Sequence, residues 1–386
     1  MIVTKTFLMP DYYTSFKCKT GDCRRSCCEG WQVTFSLDDY FRLESEECSP
    51  ELRDRIDRGV KVSLHPTPEA YAVVNRDYYG NCPMRLEDGR CAIHAEMGEG
   101  ALATVCRLYP RGIRTVPDYE CSMTNSCEGV AEMLLDRSEP VKFIRQTLTV
   151  DVPVDNGRAY NFKTFGREQE IRLKLISILQ DRSRPLYRRL TALGSALEDV
   201  GRAVESADES ITEEFLSKEY RAESIDAAVT AERLEDGLKT ARAFLELIDE
   251  DSVSVREYGS RALEYFYGAG LEKYFGAEKK FRSIVPEWEN WFENILVNHM
   301  FFQQFPFQDR PDSPGDEYVA VCSVYAMMRF LCLGCACTAS DKSDITDIIA
   351  ALFRLVDHTD FDRYASARLK SLGCDSPSEI SDLILL

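Results

Sequence analysis

The chain has 386 residues, with 47 Lys+Arg set against 65 Asp+Glu and a formal net charge of −18 at pH 7. Hydrophobic residues make up 44% and charged residues 29%. These proportions exclude intrinsic disorder as the dominant state, and the length suggests two domains with ample buried core. The acidic balance argues against a nucleic-acid partner, whose phosphate backbone needs a basic footprint; solubility explains that balance as well as a basic partner surface does.

Met1 to Phe7 lacks the basic start and apolar stretch of a secretory leader, so a cytoplasmic location is expected. Trp31-Gln32-Val33-Thr34-Phe35 alternates like a short strand, and Ser36 to Phe41 reads as a helix start with Ser36 or Asp38 near the cap. Tyr71-Ala72-Val73-Val74 is a second strand candidate. Cys82 to Cys91 reads as a hairpin turned at Asp88-Gly89, which would bring Cys82 and Cys91 together. Pro140, Pro153 and Asn156-Gly157 mark a linker or loop, and helical periodicity dominates beyond it.

Ile171, Leu175, Ile178 and Leu179 define one helix face, and Leu190, Leu193, Leu197 and Val200 the next. Ala231, Leu234, Leu238, Ala241, Leu245 and Ile248 form a third stripe. Pro286 followed by Trp288, Trp291, Phe292, Ile295 and Leu296 predicts an aromatic-faced helix, and Ile345, Ile348, Ile349, Leu352 and Val356 a late one. Core packing accounts for all of these. The apolar run Tyr318 to Ala339 carries Arg329 near its middle, a charge that costs about 2.5–3.5 kcal/mol at membrane mid-depth, so a buried helix is expected and no membrane partner. The expected fold is mainly α: a small irregular α+β cysteine-rich metal-binding domain over 1–135, and a larger all-helical domain over 136–386.

Cysteine is the outlier. Of 15, ten lie at or before Cys127 and five at or after Cys322. In a large chain without an export signal, dense thiols point to metal or cluster ligation rather than a disulfide framework. The spacing is Cys18-x4-Cys23-x3-Cys27-Cys28, then Cys82-x8-Cys91, Cys106 and Cys127. Thiolates are soft ligands suited to iron–sulfur clusters and to zinc. Cys27 and Cys28 are expected to point apart, since neighbours do so in regular structure, leaving one to ligate and the other to pack or bind elsewhere. The eight thiols could fill two four-ligand sites, or one site plus structural cysteines. Inert buried thiols are the bland alternative.

These residues also carry a resemblance. Met9-Pro10-Asp11-Tyr12 leading to Phe16-Lys17-Cys18, then Cys23, Cys27-Cys28 and Gly30-Trp31, resembles the start of the flagellin lysine-N-methylase family. Gly80-Asn81-Cys82-Pro83 through Asp88-Gly89-Arg90-Cys91-Ala92-Ile93 is similar to its second signature. Thr104-Val105-Cys106-Arg107-Leu108-Tyr109-Pro110-Arg111 and Ser126-Cys127 to Val130-Ala131 are similar to its third and fourth. Asn294-Ile295-Leu296-Val297-Asn298 and Val356-Asp357-His358 resemble its tail, and the cysteine-rich part resembles small zinc- or iron-chelating CxxxCxxCC domains. The chain departs from the pattern at Glu128, where proline is expected, and at Cys121, an extra thiol. The resemblance implies methyl transfer from S-adenosylmethionine to lysine ε-amines of flagellin, with an iron–sulfur cluster, 4Fe–4S in the first instance and zinc as the alternative, on the family's cysteines.

Lysine methylation requires a neutral amine aimed in line at a sulfonium methyl. No Rossmann-type donor site is visible: Gly268-Ala269-Gly270 is a lone GxG without a preceding strand and reads as a helix break. Asn298-His299 matches a fragment of SET-domain methyltransferases with nothing else of that fold. A CxxxCxxC radical signature fails because, starting at Cys23, its third cysteine falls on Gly30. The donor site is therefore unlocated. His65, His94, His299 and His358 are the only histidines, read first as structural or surface residues and second as bases; His94 could replace a thiolate. Arg107 and Arg111 are placed to neutralise a cluster or to make surface ion pairs. Tyr12, Tyr13 and Tyr109 are candidate proton carriers, with Tyr12 and Tyr109 the catalytic candidates, and Trp31 is expected to pack over the metal loop. A non-enzymatic metal-binding adaptor, whose acidic helical half docks a protein, is the alternative reading, and an electron-transfer cluster a third.

Overall fold

A computed structural model describes residues 2–28, 32–78, 80–151, 164–206, 208–221, 228–248, 253–308 and 313–373. The N-terminal third contains β1 (Ile2–Pro10), β2 (Thr34–Phe35), α1 (Leu37–Ser45), α2 (Pro50–Gly59), β3 (Val60–Val62), β4 (Ala72–Val74), α3 (Ala92–Met97), α4 (Thr104–Leu108), β5 (Arg111–Arg114), β6 (Glu120–Met123) and α5 (Glu128–Leu135). After β7 (Phe143–Asp151) the chain is helical. It runs through α6 (Glu168–Leu179), α7 (Leu186–Ser206), α8 (Glu209–Ser217), α9 (Ala231–Leu245) and α10 (Val253–Phe266). The last elements are α11 (Leu271–Ile284), α12 (Trp288–Phe302), α13 (Pro314–Ala336), α14 (Lys342–Val356) and α15 (Phe361–Ser371). The expected class, mainly α with a small mixed part, is the one observed.

Helix starts follow local chemistry. Ser36, not Asp38, caps α1 by accepting from the Asp39 amide, and Ser313 closes a capping box with Asp316 ahead of α13. The stripes of α6, α7, α12 and α14 are all buried. That of α9 is only partly so, and Ile248 lies beyond its last turn. Gly268 has φ +63°, so the GxG does break the chain between α10 and α11. α13 is, among the described residues, a helix long and apolar enough to cross a membrane, but 89% of that window is buried inside the protein. Arg329 lies 4.5 Å above the Trp288 ring and donates to the Tyr274 hydroxyl at 3.1 Å.

Five strands escape the expectation from sequence: β1, β3, β5, β6 and β7. β1 and β7 pair antiparallel along their full length, from Ile2↔Asp151 to Pro10↔Phe143, within a sheet ordered β5-β6-β1-β7. Much of their surface faces water, so neither shows a clean apolar alternation. The second sheet is β2-β4-β3. Cys82 to Cys91 is a turn closed by one isolated bridge, Arg85↔Cys91, rather than a laddered hairpin; Gly89 at φ +81° supplies its reversal. Trp31, Gly30, Pro153 and Asn156-Gly157 lie outside the described residues.

The main core joins the inner ends of β1 and β6 (Phe7, Met9, Met123) to α5, α6, α7 and α12 to α15. A satellite core under β2 to β4 includes Val33, Phe35, Leu43, Ile56, Met84 and Ile93. Buried ion pairs lock the sheet and helices: Arg172 to Glu120 at 2.7 Å, and Glu293 to both Arg189 at 2.5 Å and Arg182 at 2.8 Å.

Candidate functional site

Cys18, Cys23, Cys27 and Cys28 lie on one loop between β1 and β2, Cys82 and Cys91 on the tight turn, Cys106 within α4 and Cys127 before α5. Despite a sequence span of more than a hundred residues, their sulfurs form one interacting group. Cys23 neighbours Cys18 and Cys127. Cys27 neighbours Cys28, Cys106 and Cys127. Cys82 neighbours Cys28 and Cys91, and Cys106 neighbours Cys91 and Cys28. Every cysteine among the described residues is a free thiol.

Cys27 and Cys28 do not point apart. They sit in a turn, where neighbouring side chains can share a side, and the Cys27 thiol donates to Cys28. Together with donation from Cys82 and Ser26 and the charge of Arg85, this holds Cys28 well below the usual thiol range. Burial pushes Cys23 and Cys106 up to about 12 and Cys127 up to about 11. Burial first, and the repulsion of neighbouring thiolates second, thus disfavour ionisation of Cys23, Cys106 and Cys127. Two sulfurs also receive backbone amides at helix starts, Cys91 from Ile93 and His94, and Cys127 from Gly129 and Val130.

Specific contacts gather these segments. Glu128, the departure from the family pattern, is 1% exposed and anchors the first loop. It accepts from Lys19 Nζ at 2.5 Å and from the Arg25 amide at 2.8 Å, and pairs with Arg24 at 3.2 Å. Arg24 reaches Asp347 on α14 at 2.9 Å, and Arg354 donates to the Arg25 carbonyl at 2.6 Å. The Cys82 amide donates to the Cys28 carbonyl at 2.9 Å. The cysteine loop is therefore strapped to α5 and α14.

The remaining candidates divide. Cys121 is fully buried beside Tyr13, away from the thiol group, and the His94 residue is exposed. Arg107 pairs with Asp151, and Arg111 donates to the Phe16 carbonyl beneath the Tyr13 and Phe16 rings. The cations that act on the sulfurs are instead Lys19 at Cys23, Arg85 at Cys28 and Arg354 at Cys127. Tyr12 is buried and donates to Asn298 on α12. Tyr109 adjoins Cys127 and Cys27, and its hydroxyl is 3.0 Å from Ser126 Oγ.

Ser126 opens a polar core that sequence reasoning did not assemble, although His299, His358 and Tyr109 were among its candidates and Ser126, Asn298 and Asp357 lie in the family-like segments. Ser126 Oγ is 2.9 Å from His358 Nε2 and 2.8 Å from Thr124 Oγ1. Thr124 Oγ1 is 2.6 Å from Asp357 Oδ2, and Asp357 Oδ1 is 2.8 Å from His299 Nδ1. Asn298 donates to the Met123 carbonyl at 2.8 Å and to Asn125 Oδ1 at 2.7 Å. A polar array of this kind recurring in separated segments is the signal that would have found it.

The donor set is soft and concentrated, which fits a thiophilic centre. Among the described residues, however, no three His, Cys, Asp or Glu side chains are arranged to hold a metal ion. The chemistry fits, while the ligand shell is not closed. A depression lined by Arg55, Asp77, Asn81, Cys82, Arg85 and Glu87 adjoins the thiols and offers charges of both signs.

No curated protein and no solved structure matches the chain. A family model described as "FliB lysine N-methylase C-terminal domain" matches residues 172–381, more than half of the chain and the part that includes α12, Asp357 and His358. The chain belongs to the FliB lysine N-methylase family.

Proposed function

We propose that this protein is a cytoplasmic methyltransferase that moves methyl groups from S-adenosylmethionine to lysine ε-amines of flagellin. In this reading a 4Fe–4S cluster is held by ligands drawn from Cys18, Cys23, Cys27, Cys28, Cys82, Cys91, Cys106 and Cys127. The observation that carries it is the convergence of these thiols around a loop strapped to α5 and α14, with α14 inside the segment that matches the methylase family. When bound, the cluster would supply an electron-rich iron–sulfide centre whose negative charge Arg85 and Arg354 are placed to balance. The depression beside Cys82 suits the zwitterionic methionyl end of the donor, with Arg85 and Arg55 for its carboxylate and Asp77 and Glu87 for its ammonium.

Anaerobic purification with iron and acid-labile sulfide analysis, followed by incubation with flagellin and labelled donor, tests both parts. Methyllysine on flagellin is expected. Stoichiometric zinc without sulfide replaces the cluster with a zinc site. Absence of label despite a loaded site and confirmed flagellin binding favours the adaptor reading instead.

A further inference from the structure

The negative charge of the N-terminal third is concentrated. Residues 1–135 hold 21 Asp+Glu against 16 Lys+Arg. Residues 37–59, from the start of α1 to the end of α2, hold eight of those acids against four arginines, which is four fifths of the excess. The two faces of α1 differ. Inward, Asp39 is buried and accepts from the Thr104 amide at 2.8 Å and the Thr104 hydroxyl at 3.0 Å, tying α1 to the helix that carries Cys106. On the other side, Tyr40 and Phe41 gather with Tyr71. The ring centroids are 5.5 Å apart for Tyr40 and Phe41, 5.3 Å for Tyr40 and Tyr71, and 5.9 Å for Phe41 and Tyr71. Phe41 is 56% exposed, and the two tyrosines are half-buried.

This aromatic surface has an acidic rim. Glu44, one turn beyond Tyr40, shares Arg53 at 3.5 Å. Burial raises the Tyr40 pKa, joined by the charges of Glu44, Tyr71 and Asp57, so both carboxylates act on the trio. Among the described residues, the Asp57 carboxylate and the two tyrosine hydroxyls have no hydrogen-bond partner. Rings beside carboxylates complement a lysine side chain, whose methylenes and ammonium lie on the rings while the charge faces the acids. An anionic partner is repelled by the same rim.

We propose that the face formed by Tyr40, Phe41, Tyr71, Glu44 and Asp57 docks a lysine-presenting surface of the protein substrate, apart from the lysine that reacts. The inference rests on the methylase reading and adds to it where flagellin is held. A substrate seated here lies against the helix that Asp39 fastens to the Cys106 segment, so docking places it beside the thiol-bearing part of the fold.

Flagellin binding to the full-length, anaerobically purified protein is measured first without methyl donor. F41A is expected to weaken it about tenfold. D57K should weaken it to a similar degree and flatten its salt dependence. Both positions are exposed, so melting temperature and metal content should stay at the wild-type level. Tyr267, 82% exposed in the helical half, is the control, and Y267A should bind as wild type does. Flagellin with acetylated lysines should bind wild type, F41A and D57K alike. Equal affinities of wild type, F41A and D57K for unmodified flagellin overturn the inference. So does a dimer of this chain that F41A splits while flagellin affinity holds. Wild type that binds flagellin through these residues yet forms no methyllysine once donor is added overturns the methylase reading instead, and wild type with no affinity for flagellin overturns both.

Discussion

Gly21 and Gly89 meet backbone to backbone. A Cβ on Gly21 would lie 2.6 Å from the Asp88 carbonyl oxygen, and one on Gly89 would lie 2.6 Å from the carbonyl oxygen of Gly21. Two glycines thus let the Cys18 to Cys28 loop close on the Cys82 to Cys91 turn. Gly21→Ala must separate backbones that no flexible side chain can relieve, at a cost of about 1–3 kcal/mol. The expected outcome is a lower melting temperature and reduced metal content in anaerobically purified protein. Gly100→Ala, where nothing lies within 4 Å of the added carbon, should change stability by less than about 0.5 kcal/mol.

Glu128 makes a second closure possible. Its carboxylate serves Lys19, Arg24 and the Arg25 amide while fully buried itself. Glu128→Ala removes all three acceptor contacts. Because Lys19 and Arg24 are partly exposed, water screens their loss, and the cost should be about 2–3 kcal/mol rather than the larger penalty of a fully buried pair. Glu128→Gln retains an acceptor for the Arg25 amide and should lie between. Chemical denaturation of the three proteins orders them; equal stability of Ala and wild type would show that the loop does not depend on this anchor.

The thiols make a sharper distinction. Cys28 neighbours Cys27 and Cys82, while Cys121 sits apart beside Tyr13. Cys28→Ser and Cys82→Ser should therefore lower bound metal and sulfide, whereas Cys121→Ser should leave loading near the wild-type level. Loss of loading in Cys121→Ser alone would place the centre elsewhere in the fold.

The helical half was legible because burial writes a period into the chain: every stripe residue of α7 and α14 that the spacing selects is buried. The β1 and β7 pair left no comparable trace. Thr4 with Thr149 and Thr6 with Thr147 join hydroxyls across an exposed face, so threonine stands where a buried strand would show valine or isoleucine. At the site, thiol identity was readable because soft ligands are rare and clustered, and their meeting was implied by the family resemblance. The roles of the polar residues were not readable. Glu128 looked like a departure until its partners were seen, and Arg107 and Arg111 looked suited to the sulfurs until Asp151 and the Phe16 carbonyl claimed them. Charge in a sequence carries no direction; the fold supplies it.

Tyr12 illustrates the same point and gives the last prediction. Its phenol lies in the main core, with its hydroxyl directed at Asn298 Oδ1, while the Asn298 amide is committed to the Met123 carbonyl and Asn125. Burial raises its pKa, so the phenol stays protonated and holds α12 against the β1 end. Tyr12→Phe keeps the ring and removes one donor, leaving Asn298 Oδ1 without that bond, a loss of about 1–3 kcal/mol. Turnover per folded molecule and its pH profile should match wild type. Were Tyr12 instead a proton carrier, the profile would change while the melting temperature stayed in place, and the two measurements on one variant separate these roles.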